Sequence, residues 1–252
     1  VARSVSRVVS LVPSLTEAVA VSLPGVLVGA TDWCTHPGDL DVVRIGGTKN
    51  PRTDDIARLA PDLVIANEEE NREPDLAALR EAGVEVLVTE VRDVPGACAE
   101  LDRVLRACGT RSRPRWLDEA ESAWSRLSAA AADGPLTPGR RTTAVVPIWR
   151  RPWMVLGRDT FAGDVLARLG VDHLYTGHAE RYPRVPVEEL RAAAPDVVVL
   201  PDEPYRFTAD DGPEAFPGLP CALLSGRHLT WYGPSLAEAP RVLDAALRAA
   251  RR

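Results

Sequence analysis

The stretch "ARLAPDLVIANEE", residues 57–69, returns downstream as "AAAPDVVVLPDEP", residues 192–204. Each passes through Pro-Asp into a short apolar run and then into acid. Pro61 and Pro195 are 195 − 61 = 134 positions apart. The echo extends on both sides. "VSLVP" (9–13) matches "TAVVP" (143–147) at the same offset, and "GVEVLV" (83–88) matches "GLPCALL" (218–224) at 135. Three apolar runs at nearly constant offset imply two lobes built to one plan.

The runs are short, rich in Val and Leu, and bounded by Pro or Gly, which suits strands buried on both faces of a parallel sheet. Helical stretches separate them. "SLTEAVAVSL" carries Ser14 and, three residues on, Glu17, a capping-box pattern. "TDDIARLA" (53–60) and "VEELRAAA" (187–194) are short amphipathic helices that stop before a proline. "PDLAALREAG" (74–83) opens on Pro and closes on Gly. Strand–helix–strand alternation gives α/β lobes with right-handed crossovers. Residues 95–132 hold no strand candidate, and "PGACAELDRVLRAC" and "PRWLDEAESAWSRLSAAAA" read as helix, ended by "DGPLTPGRR". The expected fold is α/β, with two similar parallel-sheet lobes joined by a long rigid helix and a ligand cleft between them. The divisions are 1–94, 95–133 and 134–252.

Composition narrows the function. The 252 residues carry a net charge of −6, which argues against general affinity for nucleic acid or an anionic membrane. Of 30 basic residues only Lys49 is lysine, and the arginines are scattered rather than clustered. Cys34, Cys98, Cys108 and Cys221 fit no metal or redox spacing and read as buried thiols. No run of apolar residues is long enough to span a membrane. The chain opens "VARSVSRVVSLVP", almost at once in a strand, so either a leader was removed or the protein stays in the cytoplasm.

Ligands of parallel α/β lobes bind beyond the carboxyl ends of the strands. That rule selects "PSLTE", "TDWCTHP" and "ANEEENREP" in the first lobe, and "PIWRRPWMV", "PDEPYRF" and "SGRHLTWYGPS" in the second. Aromatic residues make up only 5% of the chain, yet Trp33, Trp149, Trp153, Tyr205, Trp231 and Tyr232 all fall in these loops. They suit a broad ligand with apolar and polar edges. Arg150, Arg151 and Arg227 beside them are candidates to meet its carboxylates or phosphates. Trp116 and Trp124, on the connecting segment, read as packing residues. No phosphate loop, dinucleotide fingerprint, zinc-protease motif or nucleophile elbow is present. His36, His173, His178 and His228 have no metal-ligand spacing, although His36 and His228 lie in the selected loops.

"RVVSLVPSLTEAV", "VGATDWCTHP", "RIGGTKNPRTDDIARLAPDLVIA" and "WYGPSLAEAPRVL" resemble the cobalamin-type substrate-binding proteins of ABC importers, the helical-backbone metal receptors. The resemblance runs from residue 7 to 248, and "GGTKNP…I..L.PDLV" is its most specific part. It implies two α/β lobes clamping cobalamin, a ferric siderophore or haem, with no catalytic residue, no resident cofactor and a monomeric chain. Asn67 stands where cobalamin binders often place an aromatic, and so joins the expected ligand contacts. Family members dock on a permease through one acidic residue per lobe. Glu73 is the first-lobe candidate and Glu203 the second, both expected on the outer rims. Glu69, the repeat mate of Glu203 (203 − 69 = 134), leaves the first-lobe assignment open. The alternative is a cytoplasmic enzyme or carrier of tetrapyrrole or metal-chelate chemistry on the same fold.

Overall fold

The computed structural model describes residues 5–132 and 141–250, and the side chains among them except at 128–132. The expected "DGPLTPGRR" helix end and the 133/134 division lie outside the described residues. The chain divides into two compact units: Val1–Val91 with Gly96–Asp118 and Tyr232–Pro234, and Arg92–Pro95 with Glu119–Trp231 and Ser235–Arg252.

The first unit is built from β1 (Val8–Ser10), α1 (Pro13–Ser22), β2 (Leu27–Ala30), β3 (Val43–Arg44), β4 (Gly46–Gly47), β5 (Asn50–Pro51), α2 (Thr53–Arg58), β6 (Leu63–Asn67), α3 (Glu73–Glu81) and β7 (Val86–Thr89). Its sheet has the order β3-β2-β1-β6-β7, and every neighbouring pair is parallel. The helical stretch that follows is interrupted once, giving α4 (Val94–Ala107) and α5 (Arg115–Ala132).

The second unit contains β8 (Thr142–Val145), β9 (Pro147–Trp149), β10 (Met154–Val155), α6 (Phe161–Arg168), β11 (Val171–His173), α7 (Val187–Ala192), β12 (Val197–Pro201), β13 (Cys221–Leu224), α8 (Gly226–Thr230) and α9 (Ala239–Ala249). Its sheet runs β11-β8-β12-β13, again all parallel. Strand for strand this repeats β2-β1-β6-β7. The echo found β1, β6 and β7 with their mates β8, β12 and β13. β6 and β12 are buried at every position, as central strands covered on both faces must be.

The repeat has a backbone basis. Ala60 (φ 44) and Ala194 (φ 46) end their helices in the left-handed region just before the paired prolines. The following aspartates then fasten the edge of the first strand. Asp62 Oδ2 accepts from Ser6 N at 2.9 Å and Arg7 N at 3.0 Å. Asp196 Oδ2 accepts from Thr143 N at 2.7 Å and Thr143 Oγ1 at 2.8 Å. The Pro-Asp echo is therefore one helix-stop and strand-clamp device used twice.

One local expectation is corrected. α1 begins at Pro13 after Val12, with no side-chain cap. Ser14 and Glu17 lie inside the helix and are buried. Proline already presets the first-turn φ, so the helix starts two residues earlier than the Ser-x-x-Glu pattern indicates, with Val12 rather than Ser14 as its N-cap.

Each unit has its own apolar core. Val9, Leu11, Ile45, Ile56, Val64 and Leu79 pack together in the first. Val145, Leu190, Val198, Leu200, Phe207 and Phe216 do so in the second. Trp124 is buried and donates from Nε1 to Leu236 O at 3.0 Å, and Trp116 donates to Ser22 Oγ at 3.0 Å. The four cysteines form no disulfide, and burial pushes the Cys108 thiol up to about 12, which leaves it inert.

Candidate ligand-binding site

In the first unit, the loop after β2 presents Trp33 with 66% of its surface exposed. The residue next to it is an anchor. Cys34 is buried, with Sγ 3.0 Å from Thr16 Oγ1 and 3.1 Å from Thr31 Oγ1. Arg44 Nη1 donates to Thr31 O at 3.0 Å and to Cys34 O at 2.8 Å, closing the loop from the other side. The exposed indole therefore stands on a fastened loop. Its Nε1 lies beside Gly47 of the β4–β5 ribbon, where a Cβ would come within 2.5 Å of Asn50 Oδ1. Gly46, which opens β4, has φ +93, a backbone conformation that favours glycine there. His36, further along the loop, has Nδ1 3.1 Å from Thr35 Oγ1.

After β6 the chain enters its acidic turn. Asn67 is buried, and its side chain is committed to that turn. Nδ2 donates to Thr89 O at 3.0 Å and Thr89 Oγ1 at 3.1 Å, while Oδ1 accepts from Glu69 N at 2.9 Å. Asn71 completes the framework, accepting from Asn67 N at 2.9 Å and donating to Thr48 O at 3.0 Å. Lys49 Nζ donates to Glu69 O. The Asn67 side chain, expected among the ligand contacts, thus has its donors and acceptor engaged by the loop. Tyr232 is also buried in this unit, and burial, then Glu70 and Glu69, hold its hydroxyl well above the usual tyrosine range. Glu73 opens α3 with a 72% exposed side chain, paired to Arg80 at 2.6 Å.

In the second unit, Trp149, Arg150, Trp153 and Tyr205 form one cluster. Trp149 is 42% exposed and meets Tyr205 edge-on, with ring centroids 5.7 Å apart. Tyr205 Oη donates to Asp211 Oδ2 at 2.6 Å. Arg150 pairs with Asp211 and, at 2.5 Å, with Glu214, and its guanidinium sits 5.2 Å from the Trp153 ring centroid. Trp153 stacks on Phe207 at 6.0 Å and meets Phe216 edge-on at 5.5 Å. Trp153 is therefore an outgrowth of the core, and Arg150 is spent on two carboxylates. Trp149 and Arg151 remain toward solvent, and Tyr205 is half-buried against the same core. Arg151 is exposed in the β9–β10 connection, at φ +67.

The loop after β12 carries Glu203 as well as Tyr205. Glu203 is half-buried and accepts from Trp231 Nε1 at 2.6 Å. Burial raises its pKa, with the Trp231 hydrogen bond opposing. Glu203, expected on the outer rim, is thus neither fully exposed nor fully buried, and its carboxylate is engaged by the Trp231 indole N–H. His228 lies between Ser225 Oγ at 2.8 Å and Glu238 Oε1 at 3.1 Å, and Arg227 Nη1 is 4.0 Å from Glu238. Among the described residues no cluster of three or more His, Cys, Asp or Glu is placed to hold a metal ion, and no helix is long and apolar enough to cross a membrane.

Sequence reasoning missed the supporting residues. Asp211 and Glu214 lie in "DDGPEAF", whose charge reads as an ordinary turn. Thr16, Thr31 and Arg44 lie within the stretches quoted above, but nothing in their spacing marks them as supports. Asn71, four residues after Asn67, was the one spacing available as a signal.

The profile of the periplasmic binding protein family matches residues 8–215, and the chain belongs to that family. Among solved structures it is similar to the periplasmic heme-binding protein BhuT in complex with two hemes: 25% identity, 98% of this chain, 99% of that one, TM-score 0.80. A periplasmic heme binding protein from Pseudomonas aeruginosa matches at 27% identity over 96% of this chain and 92% of its own, TM-score 0.75. The periplasmic vitamin B12 binding protein BtuF of Vibrio cholerae shares the fold at 16% identity, with 99% of each chain covered and TM-score 0.79. No curated protein matches in sequence.

Proposed function

We propose that this chain is the substrate-binding protein of an ABC importer. It captures a metal chelate of the haem, corrinoid or ferric-siderophore class, outside the cytoplasm, and delivers it to a permease without transforming it. Family membership over residues 8–215 carries the reading, and the two heme-binding proteins of similar structure support the ligand class. The exposed indoles fit it physically. Trp33, on a loop fastened through Cys34 and Arg44, and Trp149, the last residue of β9, offer large, rigid contact area.

Trp33, Trp149, Tyr205, Arg151 and Arg227 are the proposed ligand contacts. Trp153, Asn67 and Tyr232 act behind them, holding the loops, and Trp231 belongs with Glu203 instead. Glu73 and Glu203 are the proposed permease contacts, with Glu69 as the alternative in the first unit. The protein works as a monomer. Titrating haemin, cyanocobalamin and a ferric siderophore into the protein while following tryptophan fluorescence tests the reading. Saturable quenching by at least one chelate is expected. Absence of quenching by all three, or a chemically altered chelate formed at catalytic rates, refutes it.

A further inference from the structure

We infer that Trp231 is a positioning residue for the Glu203 carboxylate, holding that charge in place for the permease rather than stacking on the ligand. The inference rests on the proposed docking role of Glu203. Among the loop tryptophans Trp231 is the exception in exposure, at 7% against 66% for Trp33 and 42% for Trp149. A ring so covered has little face to offer a ligand. Its one polar atom is aimed instead at Glu203 Oε2, 2.6 Å away, a short charge-assisted contact.

The backbone of the same glutamate is held from a second direction. Asp202 Oδ1 accepts from Gly226 N at 2.5 Å, and Asp202 N donates to Leu224 O at 3.0 Å. Gly226 lies so close that a Cβ on it would stand 2.5 Å from Glu203 Cβ and 2.6 Å from Glu203 N. So Gly226 fixes where the Glu203 backbone runs, and Trp231 fixes where its carboxylate ends. Glu73 has no such mounting, since its exposed side chain meets only Arg80 among the contacts described above. A carboxylate fixed at both ends meets a permease arginine without first being ordered, which is the usual origin of a gain from preorganisation. Asp202 and Arg227 are the charged groups that bear on Glu203, with opposite effects on its ionisation.

Trp231→Phe removes the N–H and keeps a ring. It is expected to weaken association with the reconstituted permease about tenfold, the usual consequence of losing a hydrogen bond to a charged group. Haemin or cyanocobalamin affinity, whichever the wild type binds, stays within about twofold. Glu203→Gln provides the reference. If Glu203→Gln leaves association unchanged, the docking reading fails by itself. If Glu203→Gln impairs association and Trp231→Phe does not, the positioning role is overturned, as it is when Trp231→Phe weakens the chelate and spares the permease. In the double variant the two losses are not additive. A solution readout stands apart from both partners: the Trp231 indole N–H resonance shifts on acidification of the wild type, and the shift is absent in Glu203→Gln. An indole resonance insensitive to Glu203 overturns the inference even if Trp231→Phe does not fold.

Discussion

Replacing Trp33 by alanine separates binding from folding more cleanly than any other change in the chain. The side chain is 66% exposed, so little of it supports the fold. A tryptophan presents ~200 Å² of contact surface, of which ~130 Å² remains open at this exposure. A flat chelate covering one ring face would remove about half of that, ~65 Å², from water. At ~25 cal/mol per Å² this contributes ~1.6 kcal/mol, roughly fifteenfold in affinity. Stability should change by less than ~0.5 kcal/mol, as for surface substitutions generally. Isothermal calorimetry is the suitable assay, because it does not depend on the fluorophore being removed. Denaturant unfolding of the same samples supplies the control. An unchanged dissociation constant for every chelate bound by the wild type would refute the assignment of Trp33. So would a large loss of stability, since the indole would then be a fold element.

Other substitutions divide along the same line. Trp124→Ala, at a buried ring that donates to Leu236 O, should cost about 3–5 kcal/mol in denaturant unfolding and leave any surviving folded protein binding-competent. Asp62→Ala and Asp196→Ala each free backbone donors at the start of β1 and β8, and each should lose about 1–3 kcal/mol; a neutral result at both positions would contradict the clamp. Asn67→Ala strips partners from Glu69 N and the Thr89 carbonyl and should also destabilise, whereas a pure affinity loss at full stability would return Asn67 to the ligand. The Tyr205 hydrogen bond, opposed by burial and aided by Arg150, holds Asp211 below the usual carboxylate range. Its contribution is therefore present above the unfolded-state value and is lost as pH falls through the depressed one. Near-ultraviolet dichroism from the Trp153–Tyr205 cluster should fade on acidification in the wild type, and not in Asp211→Asn.

Legibility in the sequence followed burial and length. β6 and β12 could be read because a central parallel strand is apolar at every position and each carries its own Pro-Asp punctuation. β11, only Val-Asp-His, is too short and too polar to register as the mate of β2, and its place follows from pairing with β8. The β9–β10 pair was hidden for another reason. Its connection uses Arg151 at positive φ, where sequence rules look for glycine. Loop aromatics could be located but not oriented. Trp33 follows β2 directly and Trp231 follows the short α8 after β13, yet one faces water and the other meets a glutamate. That difference comes from Thr16, which holds the Trp33 loop through Cys34, and from Glu203, which takes up the Trp231 N–H, both distant in the chain.

Equilibrium dialysis against haemin, cyanocobalamin and a ferric siderophore, followed by mass spectrometry of whatever is retained, tests capture without chemistry most directly. The account predicts near-stoichiometric retention of at least one chelate and its recovery at unchanged mass after the protein is unfolded. Retention of none, or recovery of a cleaved or demetallated product that accumulates with turnover, would contradict it.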